Sequence, residues 1–305
     1  MVVTCNTRKR NFPTPKRNFS TEWEAKTWIG QAPYSGSNIW SDGTNVYCSD
    51  DEDHYVLTDS GWVEKTWNGL TEFWGSYVWT DGETIFYSRQ DDQYVLNGDT
   101  WEVKTWEIDI QYGTNIWTDG THIYYSSSGN QFEYINGSWV AKAWGGTDTT
   151  ISGGYVWTDG TNIYYSYGSS KQFVLNGNTW EAKTWEGVSL LYGDRVWTDG
   201  TSIYHSHNST QHILNNGSWV AMTWNGLDSF AGSSIWTDNR GIYYSSSSNQ
   251  YSLVALPEEY LHKTGGVWST RTINALYRKN NGAWKEIAKS DLPVGVNYIC
   301  KEVIS

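Results

Sequence analysis

The chain has 305 residues and a formal net charge of −12, with 21 Trp and 22 Tyr but only 7 Phe and 2 Met. Its length suits one closed domain with an extra segment, and the acidic excess excludes a surface built to bind nucleic-acid phosphates. Three scattered cysteines, Cys5, Cys48 and Cys300, exclude a disulfide framework or a zinc pattern, and no apolar run suits a signal peptide or a membrane span.

Residues 1–20 are a basic segment with five positive charges and no acid. Two prolines and the lack of hydrophobic periodicity indicate a segment that cannot bury enough apolar area to fold alone. One interpretation is a disordered leader. The other, which we adopt, is an extended arm that docks on an acidic neighbour, and its candidate contact residues are Arg8, Arg10, Lys16 and Arg17.

Residues 21–255 contain two phrases that recur about every forty residues. The first is Trp-Ser/Thr-Asp-Gly or a close variant, and its tryptophans are Trp40, Trp79, Trp117, Trp157, Trp197 and Trp236, with steps of 39, 38, 40, 40 and 39 residues. The second, of the form "TWEAKTW", ends on Trp28, Trp67, Trp106, Trp144, Trp185 and Trp224. Such regularity predicts a repeat architecture in which each unit buries its apolar face against its neighbours.

Each unit is expected to contain four strands. In residues 154–185, "GYVWT" is strand A, "NIYYS" strand B, "QFVLN" strand C and "TWEAKTW" strand D, with turns at Asp159-Gly160 and Asn176-Gly177. The alternation along these segments has the two-residue period of a strand. Four strands in a unit of about forty residues favour a propeller blade.

The ends of the repeat region predict how the ring closes. A D phrase, Glu22–Trp28, precedes the first A–B pair, while the last A–B–C set, near residues 234–254, has no D phrase after it. The N-terminal strand therefore supplies the fourth strand of the last blade, which hides the sheet edges. The predicted fold class is all-β: a six-bladed propeller over 21–255, with a small non-repeat segment at 256–305.

Over residues 22–254 the order of elements resembles the kelch repeat of β-propellers: a strand, a small Gly turn, "IYYS", a "YVLN"-type strand and "TW…KTW". This sequence departs from that family where Tyr165-Ser166 replaces the Gly-Gly doublet of the second strand. The resemblance implies a fold, and a fold by itself gives no function.

Strand direction assigns the loops to two faces. The A–B and C–D turns share one face, and the variable B–C loops share the other with the D–A crossovers. Variable loops on a rigid scaffold are where binding surfaces occur. There, Asp50 and Asp51 begin an acidic loop that is a candidate contact or Ca²⁺ site, although its spacing favours a solvated loop. His205, His207 and His212 lack an evident fourth ligand and are interpreted as a polar loop.

The crossovers supply candidate aromatic contacts. The sixth residue before each anchor Trp is mostly apolar, which predicts packing between blades. The fifth residue varies in character, and its aromatic members, Trp74, Tyr112 and Tyr192, are the candidates for exposed contacts with a sugar or a protein.

Signatures of catalysis are missing. The sequence contains no Gly-x-Ser-x-Gly, phosphate-binding loop or His-Glu-x-x-His motif. The phrase "WTDGTNIYY" is similar to the Asp box of sialidases, but the order of that motif is not kept, and residues 21–255 contain only three arginines, Arg89, Arg195 and Arg240. We predict no enzyme activity, no catalytic residues, no metal and no cofactor.

Residues 256–305 differ in composition from the repeats. The phrase "INALYRKNNGAWKEIAK" predicts a hairpin, and it resembles hairpins of bacteriophage tail and fibre proteins. A segment too small for its own core must bury its aromatic rings against something. Trp268, Tyr277 and Trp284 are therefore candidate assembly contacts.

These observations favour a non-enzymatic interaction protein. The resemblance of the hairpin and the two non-repeat ends lead us to expect a bacteriophage virion component, associated with the tail or fibre. Its expected partners are other virion proteins or a cell-surface receptor in a larger oligomeric assembly, with no nucleic acid and no membrane insertion. The alternative is a surface or secreted glycan-binding lectin.

Overall fold

The computed structural model describes residues 19–30, 35–108, 110, 112–127, 129–146, 150–238, 240–246 and 249–255, together with the backbone of four later strands. These residues form six four-stranded antiparallel blades of a β-propeller. The predicted fold class is confirmed. Each blade runs A to D, and its two-residue periodicity places aromatic and β-branched side chains on faces that adjacent blades cover.

The strand bounds repeat closely from blade to blade. The A strands are Ile39–Ser41, Val78–Thr80, Ile116–Thr118, Val156–Thr158, Val196–Thr198 and Ile235–Thr237. The B strands are Val46–Asp50, Ile85–Arg89, Ile123–Ser127, Ile163–Gly168, Ile203–Asn208 and Ile242–Ser245. The C strands are Asp53–Thr58, Asp92–Asn97, Asn130–Ile135, Lys171–Asn176, Thr210–Asn215 and Gln250–Ala255. The D strands are Gly61–Glu64, Thr100–Val103, Ser138–Ala141, Thr179–Ala182, Ser218–Ala221 and, in blade 6, Phe19–Ala25.

The N-terminal strand closes the ring. Phe19–Ala25 pairs antiparallel with strand C of blade 6, with Trp23 opposite Leu253 and Ala25 opposite Tyr251. The closing strand was predicted from sequence, but it lies three residues earlier than the predicted span of Glu22–Trp28. This pairing hides the outer edge of the last blade, as in a closed sheet.

The D strands are shorter than the repeated phrase. In blade 4 the strand ends at Ala182, so the predicted strand over 179–185 is wrong in its last three residues. The chain then leaves the sheet, and Trp185 turns into the space between blades 4 and 5, where its ring lies 5.5 Å from Trp157 and 5.9 Å from Trp219. The second Trp of each phrase is thus a wedge between blades.

Strand A is also shorter than predicted, because a 3-10 turn precedes it. These turns are Gly36–Asn38, Gly75–Tyr77, Gly113–Asn115, Gly153–Tyr155, Gly193–Arg195 and Gly232–Ser234. They contact one another in a closed ring around the axis. At each first glycine, a Cβ would lie about 2 Å from a main-chain oxygen of the preceding blade; for Gly153 the distance to the Asn115 oxygen would be 1.9 Å. Only glycine allows this approach.

The A–B turn is organised by its aspartate. Asp159 Oδ1 accepts hydrogen bonds from the backbone N–H groups of Thr161 and Asn162, and its Oδ2 accepts from the Tyr164 hydroxyl at 2.8 Å. Burial by itself would raise the pKa of Asp159, but these hydrogen bonds hold it below its usual value. The Asp therefore ties the turn to strand B.

The Tyr-Ser pair at the end of strand B also has a structural role. The anchor indole N–H donates to a fully buried serine hydroxyl in every blade, for example from Trp157 to Ser166 at 2.9 Å. The equivalent serines are Ser49, Ser88, Ser126, Ser206 and Ser245. This Trp–Ser clamp satisfies a buried donor that would otherwise be costly, and it explains why a serine occupies this position six times.

Beyond residue 255 the structure describes two hairpins by their backbone. Strand Glu259–Thr264 pairs with Val267–Thr272, and Leu276–Asn280 pairs with Ala283–Ile287. The second pair coincides with the hairpin predicted from sequence. No helix in the described part of the chain is long and apolar enough to cross a bilayer.

Candidate binding face

The B–C loops and the D–A crossovers lie together, as the strand directions predict. The Phe73 N–H donates to the Asp51 carbonyl at 2.9 Å, and in blade 4 the crossover residue Tyr192 pairs with Tyr167 at the end of strand B. In blade 5, Ala231 pairs in the same way with His207. We call this side of the ring the variable face: the B–C loops, the ends of the B strands and the residues just before each 3-10 turn.

In blades 1 to 4, a side chain near the start of strand C binds the crossover. Gln93, Gln131 and Gln172 donate to crossover carbonyls of Ile110, Ile151 and Leu191 at 2.7–3.2 Å. In blade 1 the same position holds His54, whose Nε2 lies 2.8 Å from the Thr71 carbonyl oxygen. These hydrogen bonds hold the crossovers in one conformation, which favours pre-organised binding on the variable face.

The sixth position before each anchor Trp packs between blades, as predicted. Phe73, Ile151, Leu191 and Phe230 are each at most 2% exposed. The fifth position points to the variable face. Trp74, Tyr112 and Tyr192 are half-buried there, rather than fully exposed.

The structure brings several predicted residues together on blades 1 to 3. The Arg89 guanidinium lies over the Trp74 ring, 3.9 Å from its centroid, and it lies 5.7 Å from the centroid of Tyr77. Tyr77 in turn contacts Tyr112, with 5.9 Å between ring centroids. The Trp74 side chain also lies near the carboxylate of Asp50, whose pKa it lowers. We call these five residues, Asp50, Trp74, Tyr77, Arg89 and Tyr112, the Trp74 cluster.

Charge in this region is mixed. Burial and the neighbouring Asp51 and Asp53 carboxylates raise the pKa of Asp50, and the nearby Trp74 side chain opposes that rise. Asp51 is exposed at the tip of the loop, where its backbone adopts a φ of 60°. Among the described residues, no group of three or more His, Cys, Asp or Glu is arranged to hold a metal ion.

Tyr192 belongs to a second aromatic group, on blades 4 and 5. Its ring lies 5.9 Å from Tyr167 and 5.2 Å from His207, and Tyr167 lies 4.4 Å from Tyr155. Tyr167 is 41% exposed, so this group offers a ring surface to solvent. The structure therefore separates Tyr192 from the other predicted contacts, Trp74 and Tyr112.

Blade 5 carries a buried histidine pair. His205 is fully buried opposite His212, and their rings are stacked with centroids 6.0 Å apart. Burial, with contributions from His212, His207 and Arg195, lowers the pKa of His205 to about 3. Burial also lowers the pKa of His212. Both rings are therefore neutral at pH 7 and part of the blade's interior.

Arg89 and Tyr77 were missed as site residues by the sequence analysis. The signal that would have found them is positional: the tenth residue after and the second residue before each anchor Trp also vary between blades. The candidate assembly residues Arg8, Arg10, Lys16 and Arg17 lie outside the described residues. Trp268, Tyr277 and Trp284 lie in the described hairpin strands, for which the structure gives the backbone alone.

Comparison with known proteins gives fold-level likeness only. No family model matches the chain, and no curated protein matches it. The WD40 β-propeller domain of Doa1 is 12% identical, with a TM-score of 0.43, over 77% of this chain and 97% of that one. An auxiliary nutrient binding protein from Bacteroides thetaiotaomicron is 11% identical, with a TM-score of 0.44, over 83% of this chain and 76% of that one.

A further similar structure is the extracellular domain of a putative one-component system from B. thetaiotaomicron. It is 12% identical, with a TM-score of 0.47, over 93% of this chain and 46% of that one. This chain therefore spans less than half of that protein's length. At such values the likenesses carry no information on ligand or activity, and the propeller assignment rests on the blades themselves.

Proposed function

We propose that this chain is a non-catalytic interaction protein that binds a partner through the Trp74 cluster. The observation that carries the proposal is a contrast between equivalent positions. The Trp–Ser clamp is the same in all six blades, whereas the position of Trp74 is Ser, Tyr, Ser, Tyr and Ala in the others. Packing between blades constrains the clamp residues to one identity. The positions equivalent to Trp74 face the variable face, where packing does not impose one residue type.

The chemistry of the cluster suits a protein or receptor surface. Trp, Tyr and Arg are the residues that most often carry interface energy, and Trp and Tyr bury a large area with few rotamers. Arg89 is already ordered by its stack on Trp74, so it loses little freedom on binding. Asp50, near Trp74, supplies a hydrogen-bond acceptor.

The setting that we propose is a bacteriophage virion, in a tail or fibre. The support is the resemblance of residues 273–289 to hairpins of such proteins, and the presence of non-repeat segments before and after the repeats in the sequence. The Trp74 cluster would then contact a host-surface receptor or a neighbouring virion protein, and the hairpin segment would contact the particle.

The test of the binding face uses the purified full chain, labelled with a fluorophore, and intact host cells. Trp74→Ala is expected to weaken binding at least 10-fold, about 1.4 kcal/mol. Ser152→Ala, at the equivalent position of blade 4, is the matched control and is expected to bind as wild type. Equal binding by both variants would contradict the proposal.

The test of the setting is proteomic. Mass spectrometry of purified particles of the phage that encodes the chain should detect it at a fixed ratio to a major tail protein. Its absence from particles, with the chain present in the lysate, would contradict the virion setting while leaving the binding face to be judged by the cell assay.

A further inference from the structure

Blade 4 departs from the repeat in the length of its B–C loop. In the other blades the clamp serine is followed five positions later by the Gln or His near the start of strand C, as from Ser88 to Gln93 and from Ser206 to Gln211. In blade 4 the interval from Ser166 to Gln172 is six residues. In blade 4 the last pair between strands B and C is Tyr167 with Lys171, so the loop contains three residues. In blade 2 the last pair is Arg89 with Asp92, so the loop contains two residues.

The longer loop forms one wall of a cavity of about 190 Å³ at the junction of blades 4 and 5. Gly168 and Ser169 line it from the loop, Lys183 and Trp185 from the segment after strand D, and Leu191 from the crossover. Its volume corresponds to about six water molecules. The ligand that fits is therefore smaller than a drug-sized molecule.

The lining combines an apolar side with a few polar groups. Trp185, Val188 and Leu191 supply apolar surface, and Ser169, Thr184 and Ser189 supply hydroxyls. Lys183 is the one cation among the lining residues, and there is no carboxylate among them. Its Nζ lies 4.6 Å from the Trp185 ring centroid, so the stack holds the ammonium in place.

Gln172 adds a buried acceptor. Its amide N–H groups donate to the carbonyls of Leu191 and Gly168, which leaves Oε1 without a partner among the described residues. The equivalent oxygens of Gln93, Gln131 and Gln211 are also unpartnered, so this feature alone marks no site. In blade 4 the glutamine side chain forms part of the wall of the cavity that the loop insertion borders, while its Oε1 is buried within that wall.

We propose that this cavity binds a single pyranose sugar, free or at the end of a glycan. A pyranose offers apolar C–H groups for the exposed edge of Trp185 and for Val188, and hydroxyl oxygens for Lys183 Nζ and the Ser169 hydroxyl. This pattern of apolar walls with few placed polar groups is that of small-ligand sites in general. The site lies outside the Trp74 cluster and does not depend on the function proposed for it.

The test is calorimetric titration of the full chain with a panel of hexoses, N-acetylhexosamines and hexuronic acids. A ligand of this size in a preformed pocket is expected to bind with a Kd on the order of 1 mM. Lys183→Met is expected to weaken binding at least 10-fold. Blade 5 already has Met222 at this position, so the variant is compatible with the fold. Deletion of Ser169 restores the loop length of the other blades and is expected to abolish binding.

Lys104→Met is the matched control, because Lys104 stacks on Trp106 in blade 2 with the same 4.6 Å separation. It is expected to bind the sugar as wild type does. The proposal is overturned if no pyranose in the panel binds, if Lys183→Met and the deletion bind as wild type, or if Lys104→Met weakens binding equally. Amide chemical-shift mapping on the wild-type chain gives a second readout: changes at residues 168–172 and 183–191 support the proposal, and changes confined to other blades overturn it.

Discussion

Trp157 and Trp79 are equivalent anchors in blades 4 and 2, and their surroundings are nearly the same. Each donates its indole N–H to a buried serine at 2.9 Å, and each stacks on an aromatic ring of strand B. At the position five residues before the anchor, blade 4 has Ser152 and blade 2 has Trp74, which differ in size and polarity. The interior of the ring is covered by neighbouring blades on both sides, whereas the variable face is partly open to solvent, and this difference separates structural positions from binding positions.

The largest loss of stability is expected on removal of the Trp23 ring, which the closing strand places between blades 5 and 6. Trp23 is 2% exposed and contacts Trp197, Trp224 and Phe230 between blades 5 and 6. Trp23→Ala is expected to lower the free energy of unfolding by about 3–5 kcal/mol. Denaturant titration measures the loss. Ile29→Ala is the control, because that side chain is 76% exposed, and a loss as large as that of Trp23→Ala would contradict closure by packing.

Substitution of the first glycine of a 3-10 turn is expected to give the next largest loss of stability. In Gly153→Ala the new methyl would lie 1.9 Å from a main-chain oxygen, so the 3-10 turns of blades 3 and 4 must separate. We expect a loss of about 3 kcal/mol in the free energy of unfolding. Gly154→Ala is the matched control, since its nearest contact would be an ordinary 3.4 Å. Similar stability of the two variants, measured by thermal unfolding, would show that the turns are not tightly packed.

The Trp–Ser clamp should contribute less. Ser166→Ala leaves the buried Trp157 indole N–H without its acceptor, and we expect a loss of about 1–3 kcal/mol. Ser209→Ala, in the exposed B–C loop of blade 5, should change stability by less than about 0.5 kcal/mol. If Ser166→Ala is as stable as Ser209→Ala in chemical denaturation, the clamp has no net energetic role.

The smallest effect at neutral pH comes from the histidine pair. Because the folded state lowers the pKa of His205 to about 3, the unfolded state binds more protons below its own pKa of about 6.5, and stability falls as pH drops through that window. His205→Tyr, which installs the residue of blades 2, 3, 4 and 6, should remove part of this loss. Thermal melting between pH 7 and 4 checks it. The same slope for His205→Tyr and for wild type would contradict the assignment.

Much of the fold could be predicted because its signals are local and repeated. Six phrases of the form Trp-x-Asp-Gly or a close variant predicted the number of blades, and the unmatched D phrase at the N-terminus predicted the closing strand that pairs with Gln250–Ala255. The errors were at boundaries. The two-residue alternation of "TWEAKTW" continues to Trp185, but the strand ends at Ala182. Beyond that residue the chain leaves the sheet, and the Trp185 ring packs between blades 4 and 5.

The candidate site was predicted only in part. The position of Trp74 and Tyr112 before the anchor Trp was sufficient to place them on the variable face. Their neighbours came from other parts of the repeat: Arg89 from the end of strand B and Tyr77 from the 3-10 turn. Distances between such positions depend on how the crossover folds back onto the B–C loop, which no single phrase of the sequence encodes.

By itself, the sequence determined the class of fold, the number of blades and the means of closure, because alternation, turn residues and spacing act within one unit of about forty residues. The tertiary structure alone decided what lies next to what across units. It showed that Ser166 accepts the hydrogen bond of Trp157, that Gly153 must be a glycine, that Arg89 stacks on Trp74, and that the extra loop residue of blade 4 borders a cavity. These facts depend on packing between segments that are tens of residues apart, where the positions of both partners are set only when the ring has closed.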